Sequence, residues 1–226
     1  MTKSKYFNFP IQLLQGFLIN SNDCLLNIKD YGVLKFAKTI KDGDELHKFE
    51  SSLIHFNLDY DDINIEYDRC LSLYDSIPDK SPMVGISMLI YQDFFTNNKT
   101  EYEKVVLLAY LALKSIAQKK QYCKVTNFYW LARMAGYPTS INDKDELPHK
   151  LVRYTTEYQL KKIKDDLVLE WHLTMYSRYT RGFYVSFKFK LKELIKAVET
   201  VRRSNKLKSQ KQIEKLLLEQ VMEELK

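Results

Sequence analysis

Glycine and proline are scarce in this chain, six and five among 226 residues. These are the residues that break regular backbone, so the chain cannot make the many tight turns of a sandwich or barrel. It must run in long elements, chiefly helices. Hydrophobic residues make up 45% and charged residues 28%, the balance of a globular protein rather than a disordered one. The length suits one large or two small domains.

Charge is distributed unevenly. Residues 1–95 hold 9 Lys and Arg against 14 Asp and Glu, whereas residues 96–226 hold 26 against 15. Within the basic half, Trp171 to Lys211 carries 11 basic residues and two acids, Glu193 and Glu199. A block of that density repels itself, and its common use is to displace counterions from phosphates. A solvated helix face is the plain alternative. Cys24, Cys70 and Cys123 are too far apart, and odd in number, for a disulfide framework or a Cys-x-x-Cys knuckle, which fits a reducing, cytoplasmic setting. The first residues lack the apolar run of a signal peptide and no window approaches a membrane span, so a soluble protein is expected.

Pro10 suits the first turn of a short helix with Ile11, Leu14, Phe17 and Leu18 at helical spacing. Asn22 or Asp23 caps a second helix, and a third runs roughly from Asp44 to Phe56. In the acidic stretch from Asn57 to Asp79, Ile63, Tyr67, Cys70, Leu71 and Tyr74 form one stripe. Pro78, Pro82 and Gly85 make residues 77–86 the best linker.

The Thr100–Glu103 capping box then starts a firm helix with Val105, Leu108, Ala109, Ala112 and Ile116 buried, to about Ala117. Thr126 or Asn127 caps a short helix that Gly136 ends. After Pro148 a longer helix runs to about Asp166, with Val152, Thr156, Leu160, Ile163 and Leu167 on its core side. Leu169 to Met175 and Phe183 to Phe189 each alternate apolar and polar residues, which predicts two strands of a hairpin. A final helix begins near Leu191. The polar stretch Arg202 to Gln212 either frays or exposes it, and Ile213 to Leu225 restarts an amphipathic pattern.

The order helix (100–117), short helix (127–136), longer helix (148–166) and hairpin (168–189) resembles a winged helix-turn-helix domain over about residues 97–200. The resemblance implies that the third helix enters the DNA major groove with the hairpin tip as a wing beside it. Lys150, Arg153, Tyr154, Tyr158 and Lys161 would then form the recognition face, and Arg178 and Arg181 the wing tip. Lys188, Lys190, Arg202 and Arg203 would add phosphate contacts. One feature departs from the family pattern: residues 137–147 leave an eleven-residue connection where three or four are usual. Either the third helix starts near Asp143 or the turn is elaborated.

Enzyme chemistry finds little support. No phosphate-loop, dinucleotide, zincin or hydrolase-elbow string occurs. His55, Asp59, Asp61 and Asp62 cluster without a ligand spacing, and an acidic helix start explains them more simply. The expectation is therefore a mainly α protein with a small β-hairpin, non-enzymatic and without metal or cofactor. Its regions are an acidic helical part (1–85), a winged-helix-like domain (86–200), and a basic linker with an amphipathic C-terminal helix (201–226). Double-stranded DNA is the expected partner, in transcriptional regulation or replication control. A homodimer or protein partner would use the N-terminal region or Ile213–Leu225, that apolar stripe packing on the N-terminal half or on a second copy. A protein-interaction adaptor or inhibitor and an RNA-binding protein are the alternatives.

Overall fold

The computed structural model describes residues 5–78, 80–177 and 182–224, with side chains as far as Leu218. The chain is mainly helical, with two small antiparallel sheets and a long final helix. Its N-terminal part consists of β1 (Tyr6–Pro10), a 3-10 turn (Ile11–Leu14), α1 (Ser21–Ala37), α2 (Glu45–Phe56), α3 (Ile63–Asp75), β2 (Met83–Ser87) and α4 (Met88–Thr96).

Two expectations are modified here for one reason. The helix expected after Pro10 is present only as the short 3-10 turn Ile11–Leu14, and in place of an open linker over 77–86, β1 and β2 pair, with Phe7 opposite Ile86 and Phe9 opposite Val84. All four side chains are buried, alternating with Tyr6, Asn8, Met83 and Gly85 along their strands. This is the period-2 pattern of a half-buried sheet, cut too short by Pro10 and Pro82 to stand out. The second helix begins at Ser21, two or three residues earlier than expected, because Asn20 rather than Asn22 or Asp23 caps it, accepting from the Asp23 amide at 3.3 Å. The three helices that follow β1 pack together. Asp30 of α1, buried, takes both the Nε and Nη2 of Arg69 from α3 at 2.9 and 3.2 Å, and the acidic stretch thereby gains one committed cation.

The fold is organised around α5 (Glu101–Ala117). Thr100 and Glu103 close the expected capping box. The helix buries more than the expected stripe: Val106, Leu107, Leu111 and Leu113 are as covered as Val105, Leu108, Ala109, Ala112 and Ile116. A helix apolar on every face has to be surrounded, and neighbours close over it from all sides. They are β2 and the 3-10 turn from the N-terminal part, and from the C-terminal part β3 (Cys123–Val125), α6 (Asn127–Met134), α8 (Glu157–Leu169) and β5 (Phe183–Ser186). One cluster of buried residues accordingly runs from Phe7 to Val185. Trp130 of α6 is fully buried against α5, and its indole N–H donates to the Ala109 carbonyl at 3.0 Å. Thr126 caps α6, and Gly136, at φ +80°, takes the left-handed position just past its end.

The connection after α6 is the elaborated alternative. It contains a 3-10 turn (Lys144–Glu146) and α7 (His149–Val152), and α8 starts only at Glu157. The single helix expected over 148–166 is thus broken. Thr155 Oγ1 donates to the Val152 carbonyl at 2.7 Å and Thr156 Oγ1 accepts from the Gln159 amide at 3.3 Å. Two adjacent threonines therefore end one helix and cap the next, a competition that apolar spacing alone does not register.

The expected first strand of the hairpin also shortens. The helix α8 runs on through Leu169, His172 turns the chain with φ +53°, and β4 covers only Thr174–Tyr176. The strand β3, which was not expected at all, makes the hairpin a three-stranded sheet of order β3-β5-β4.

The last element, α9 (Leu191–Glu224), is one continuous helix of 34 residues, about 50 Å long. Leu194 and Val198 are buried, but from Arg203 to Leu218 every side chain is exposed. Ile213, Leu216 and Leu217 are 54–57% exposed, so these three do not pack on the N-terminal half, while the side chains of Val221 and Leu225 lie outside the described residues. No helix among the described residues is long and apolar enough to cross a membrane.

The all-round burial of α5 makes its partners unequal to surface residues of the same type. Trp130→Ala should lower the unfolding free energy by about 3–5 kcal/mol in urea titration, while Leu89→Ala, at a 75% exposed position, should stay within about 0.5 kcal/mol of the parent.

Candidate nucleic-acid interface

Most of the expected DNA-reading helix falls in α8. Its core side, Leu160, Ile163 and Leu167, is buried toward α5. Polar contacts fix its rotation. Tyr102 of α5 donates its hydroxyl hydrogen bond to Asp166, and Lys162 lies 4.3 Å over the Tyr102 ring. On the opposite flank the Lys164 ammonium reaches the Asn127 side-chain oxygen at 3.1 Å and sits 4.2 Å over Phe183. Burial lowers the Lys164 pKa. With these contacts made, the outward face presents Tyr158, 74% exposed, together with Lys161, Asp165, Val168 and Leu169.

The break before α8 separates the five residues expected to share one face. Tyr158 and Lys161 remain together on its outward side, one turn apart. Lys150 belongs to α7 and donates to the Leu18 carbonyl at 2.9 Å, toward the N-terminal part. Tyr154 is buried, and its hydroxyl donates to Glu101 at 3.1 Å. Arg153 remains exposed but pairs with the same carboxylate. Glu101 in the first turn of α5 thus gathers Arg153 and Tyr154 from the break between α7 and α8, and a single-helix recognition face of all five does not exist.

The hairpin residues divide similarly. Arg178 and Arg181, the expected wing tip, lie outside the described residues. At the near end of β5, Gly182 has φ +103°, and a Cβ there would stand 2.4 Å from the Val125 carbonyl oxygen. That close approach lets β5 pass alongside β3. Lys188 directs its ammonium to the Lys119 carbonyl at 2.9 Å, and Lys190 is exposed just before α9, with its amide bonded to Glu193. Arg202 pairs with Glu199 at 3.0 Å, and Tyr176 of β4 donates to that carboxylate at 2.9 Å, which ties α9 to the sheet. Arg203 is exposed.

Two lysines with a structural hold on this region, Lys162 and Lys164, were missed by sequence reasoning. The signal for Lys164 was present: it falls four residues after Leu160 and three before Leu167, at core spacing, where a lysine must lay its stem along apolar neighbours. Other candidate chemistry is placed elsewhere. His55 stacks on Phe36 at 4.2 Å, and Asp62 caps α3 by accepting from the Asn64 and Ile65 amides. Among the described residues no three His, Cys, Asp or Glu side chains come together to hold a metal ion. The three thiols are buried, and burial pushes Cys24 up to about 11 and Cys70 up to about 12, which leaves them protonated and poorly nucleophilic.

Comparison with known protein families, with curated proteins and with solved structures finds no match to the chain. The reading of this face rests on its own geometry.

The Tyr102–Asp166 contact carries a pH dependence. Burial, then the Asp166 hydrogen bond, raises the Tyr102 pKa above the usual tyrosine value of about 10. The folded state holds this proton more tightly than the unfolded one, so the contribution is complete below about pH 10 and is lost as pH rises beyond it. Tyr102→Phe should cost about 1 kcal/mol at neutral pH and make the alkaline loss of stability shallower, so that the two curves converge in urea titrations taken from pH 7 to 11.

Proposed function

We propose that this chain is a non-enzymatic DNA-binding protein of winged-helix type, acting in transcriptional regulation or replication control. The observation that carries the reading is the arrangement of the C-terminal part. Two helices, α5 and α6, are separated by a strand, β3. The helix α8 then presents an outward face before a hairpin whose second strand pairs back with β3. The winged-helix family uses such an order to hold one helix in the major groove and a loop against the backbone. The positive segment from Trp171 to Lys211 follows directly, with 11 basic residues against two acids, and supplies the counterion release on which duplex affinity depends.

On this reading Tyr158 and Lys161 face the base edges or phosphates, Arg178 and Arg181 form the wing contact, and Lys190 and Arg203 add phosphate contacts. Lys150, Tyr154 and Arg202 are occupied by internal partners and contribute by holding the scaffold. The four exposed leucine and isoleucine side chains Ile213, Leu216, Leu217 and Leu218 favour a second reading, assembly with a protein partner or a second copy through the end of α9.

The test is fluorescence anisotropy with a labelled duplex of about 20 base pairs across a salt series. Affinity should fall steeply with salt. Tyr158→Ala with Lys161→Ala, and separately Arg178→Ala with Arg181→Ala, should each weaken binding by about tenfold or more at matched salt without changing the melting temperature. Binding that ignores salt, or both double variants binding like the parent, would count against the DNA reading. Preference for single-stranded RNA over duplex would transfer the face to RNA. For the assembly reading, truncation after Gln212 should lower the mass measured by light scattering from dimer to monomer; a full-length monomer that binds no protein removes it.

A further inference from the structure

A second positively charged feature lies away from α8. Between the β1–β2 sheet and the C-terminal end of α5 is a groove of about 980 Å³. Its charged lining is Lys80, Lys114, Lys119, Lys120 and Arg133, and no Asp or Glu among the described residues lines it. Lys114 stands twelve residues along α5 from Tyr102, which supports α8, a separation of about 18 Å along the axis. The groove and the outward face of α8 are therefore separate surfaces.

Two of its cations are held in an unusual way. Arg133 is only 5% exposed. Its Nη2 donates to the Tyr129 hydroxyl at 2.6 Å and its guanidinium lies 5.0 Å over that ring, but its Nε and Nη1 are buried and have no acceptor. A guanidinium stays charged in any accessible conditions, so two of its nitrogens are buried without a protein acceptor, at a cost in stability. Lys114 is partly buried. Its ammonium donates to the Gly85 carbonyl at 2.7 Å and lies 4.8 Å over the Tyr6 ring and 5.6 Å over the Tyr110 ring. Burial lowers its pKa. The three remaining lysines are exposed at the rim. Gln118, also in the lining, closes α5 with φ +46°, a conformation that a residue with a Cβ rarely adopts. Like charges gathered with no counter-charge among the described lining residues repel one another, and an anion entering the groove would relieve them.

We infer that this groove binds an organic polyphosphate of nucleotide size, with Arg133 and Lys114 on its phosphates and Tyr6 beside its base. Five cations exceed what a single inorganic phosphate would require, and the volume suits a nucleoside di- or triphosphate. The recessed guanidinium suits a terminal phosphate that can enter the groove better than the continuous backbone of a duplex. The partly exposed Tyr6 ring offers a stacking face, and the amides of Asn8 and Gln118 offer polar contacts to a base or sugar. The inference stands independently of the duplex-binding reading.

Isothermal titration calorimetry on the full chain, with ATP, ADP, AMP and inorganic phosphate as probes, tests it. ATP and ADP should bind more tightly than AMP, and inorganic phosphate most weakly. Arg133→Met keeps the side-chain volume and removes the charge, and should weaken ATP by about tenfold or more. Lys119→Ser with Lys120→Ser changes only exposed rim positions and should weaken ATP in the same direction, which keeps the test valid if Arg133→Met fails to fold. Tyr158→Ala with Lys161→Ala should leave ATP affinity unchanged, so that loss of duplex binding and loss of nucleotide binding are told apart. Absence of ATP binding at millimolar concentration, equal affinity for ATP and inorganic phosphate, or groove variants that lose duplex instead of ATP would each overturn it.

Discussion

Everything in this molecule is arranged by the need to cover α5. From Val105 to Ala117 nearly every side chain of that helix is buried, so no single neighbouring layer suffices. The N-terminal part contributes β2 and the 3-10 turn, and the C-terminal part contributes α6, α8, β3 and β5. At roughly 25 cal/mol for each square ångström of apolar surface removed from water, closing that shell is the dominant reward for bringing distant segments together. Residues at the two ends of the order, Phe7 and Val185, consequently belong to one buried cluster.

A buried axle of this kind also places the polar groups. The helix ends and the few polar side chains of α5 are where its neighbours find directional contacts. Glu101 takes Arg153 and Tyr154 at its start, Tyr102 takes Asp166 from α8, the Ala109 carbonyl takes Trp130, and Lys114 takes the Gly85 carbonyl of β2. Apolar burial is non-directional and would tolerate α8 rotated by part of a turn. The Tyr102–Asp166 and Lys164–Asn127 contacts remove that freedom, and thereby decide which side chains of α8 meet solvent. The same covering leaves Arg133 recessed at the edge of the shell with two donors unused, which is why the cation-lined groove exists beside α5.

Much of this was legible along the chain. The Thr100–Glu103 box, the Thr126 cap and the left-handed Gly136 are local devices whose partners lie within four residues, and each appears where the sequence places it. Strands were harder. Both β1 and β2 are five residues with a proline in or beside them, and β3 is three residues, too few for alternation to emerge from the composition around it. They are strands because each has a partner at matching register: β1 with β2, β3 with β5. The proposed recognition residues divided along the same line. Helical spacing put Tyr158 and Lys161 on an outward face, but it could not reveal that two threonines would interrupt the helix before them and send Lys150 and Tyr154 to other partners.

By itself, then, the sequence determined the helical class, the caps of α5 and α6, the inward positions of α8, and the concentration of positive charge after Trp171. These depend on interactions within a turn or two, or on composition alone. Only the tertiary structure decided that α5 is buried on all sides, that three short segments become strands, that Ile213, Leu216 and Leu217 are left uncovered, and that Arg133 and Lys114 line one groove free of described carboxylates. Each of those outcomes is a contact between residues far apart in the chain, and its free energy comes from surface that exists only once both sides have folded.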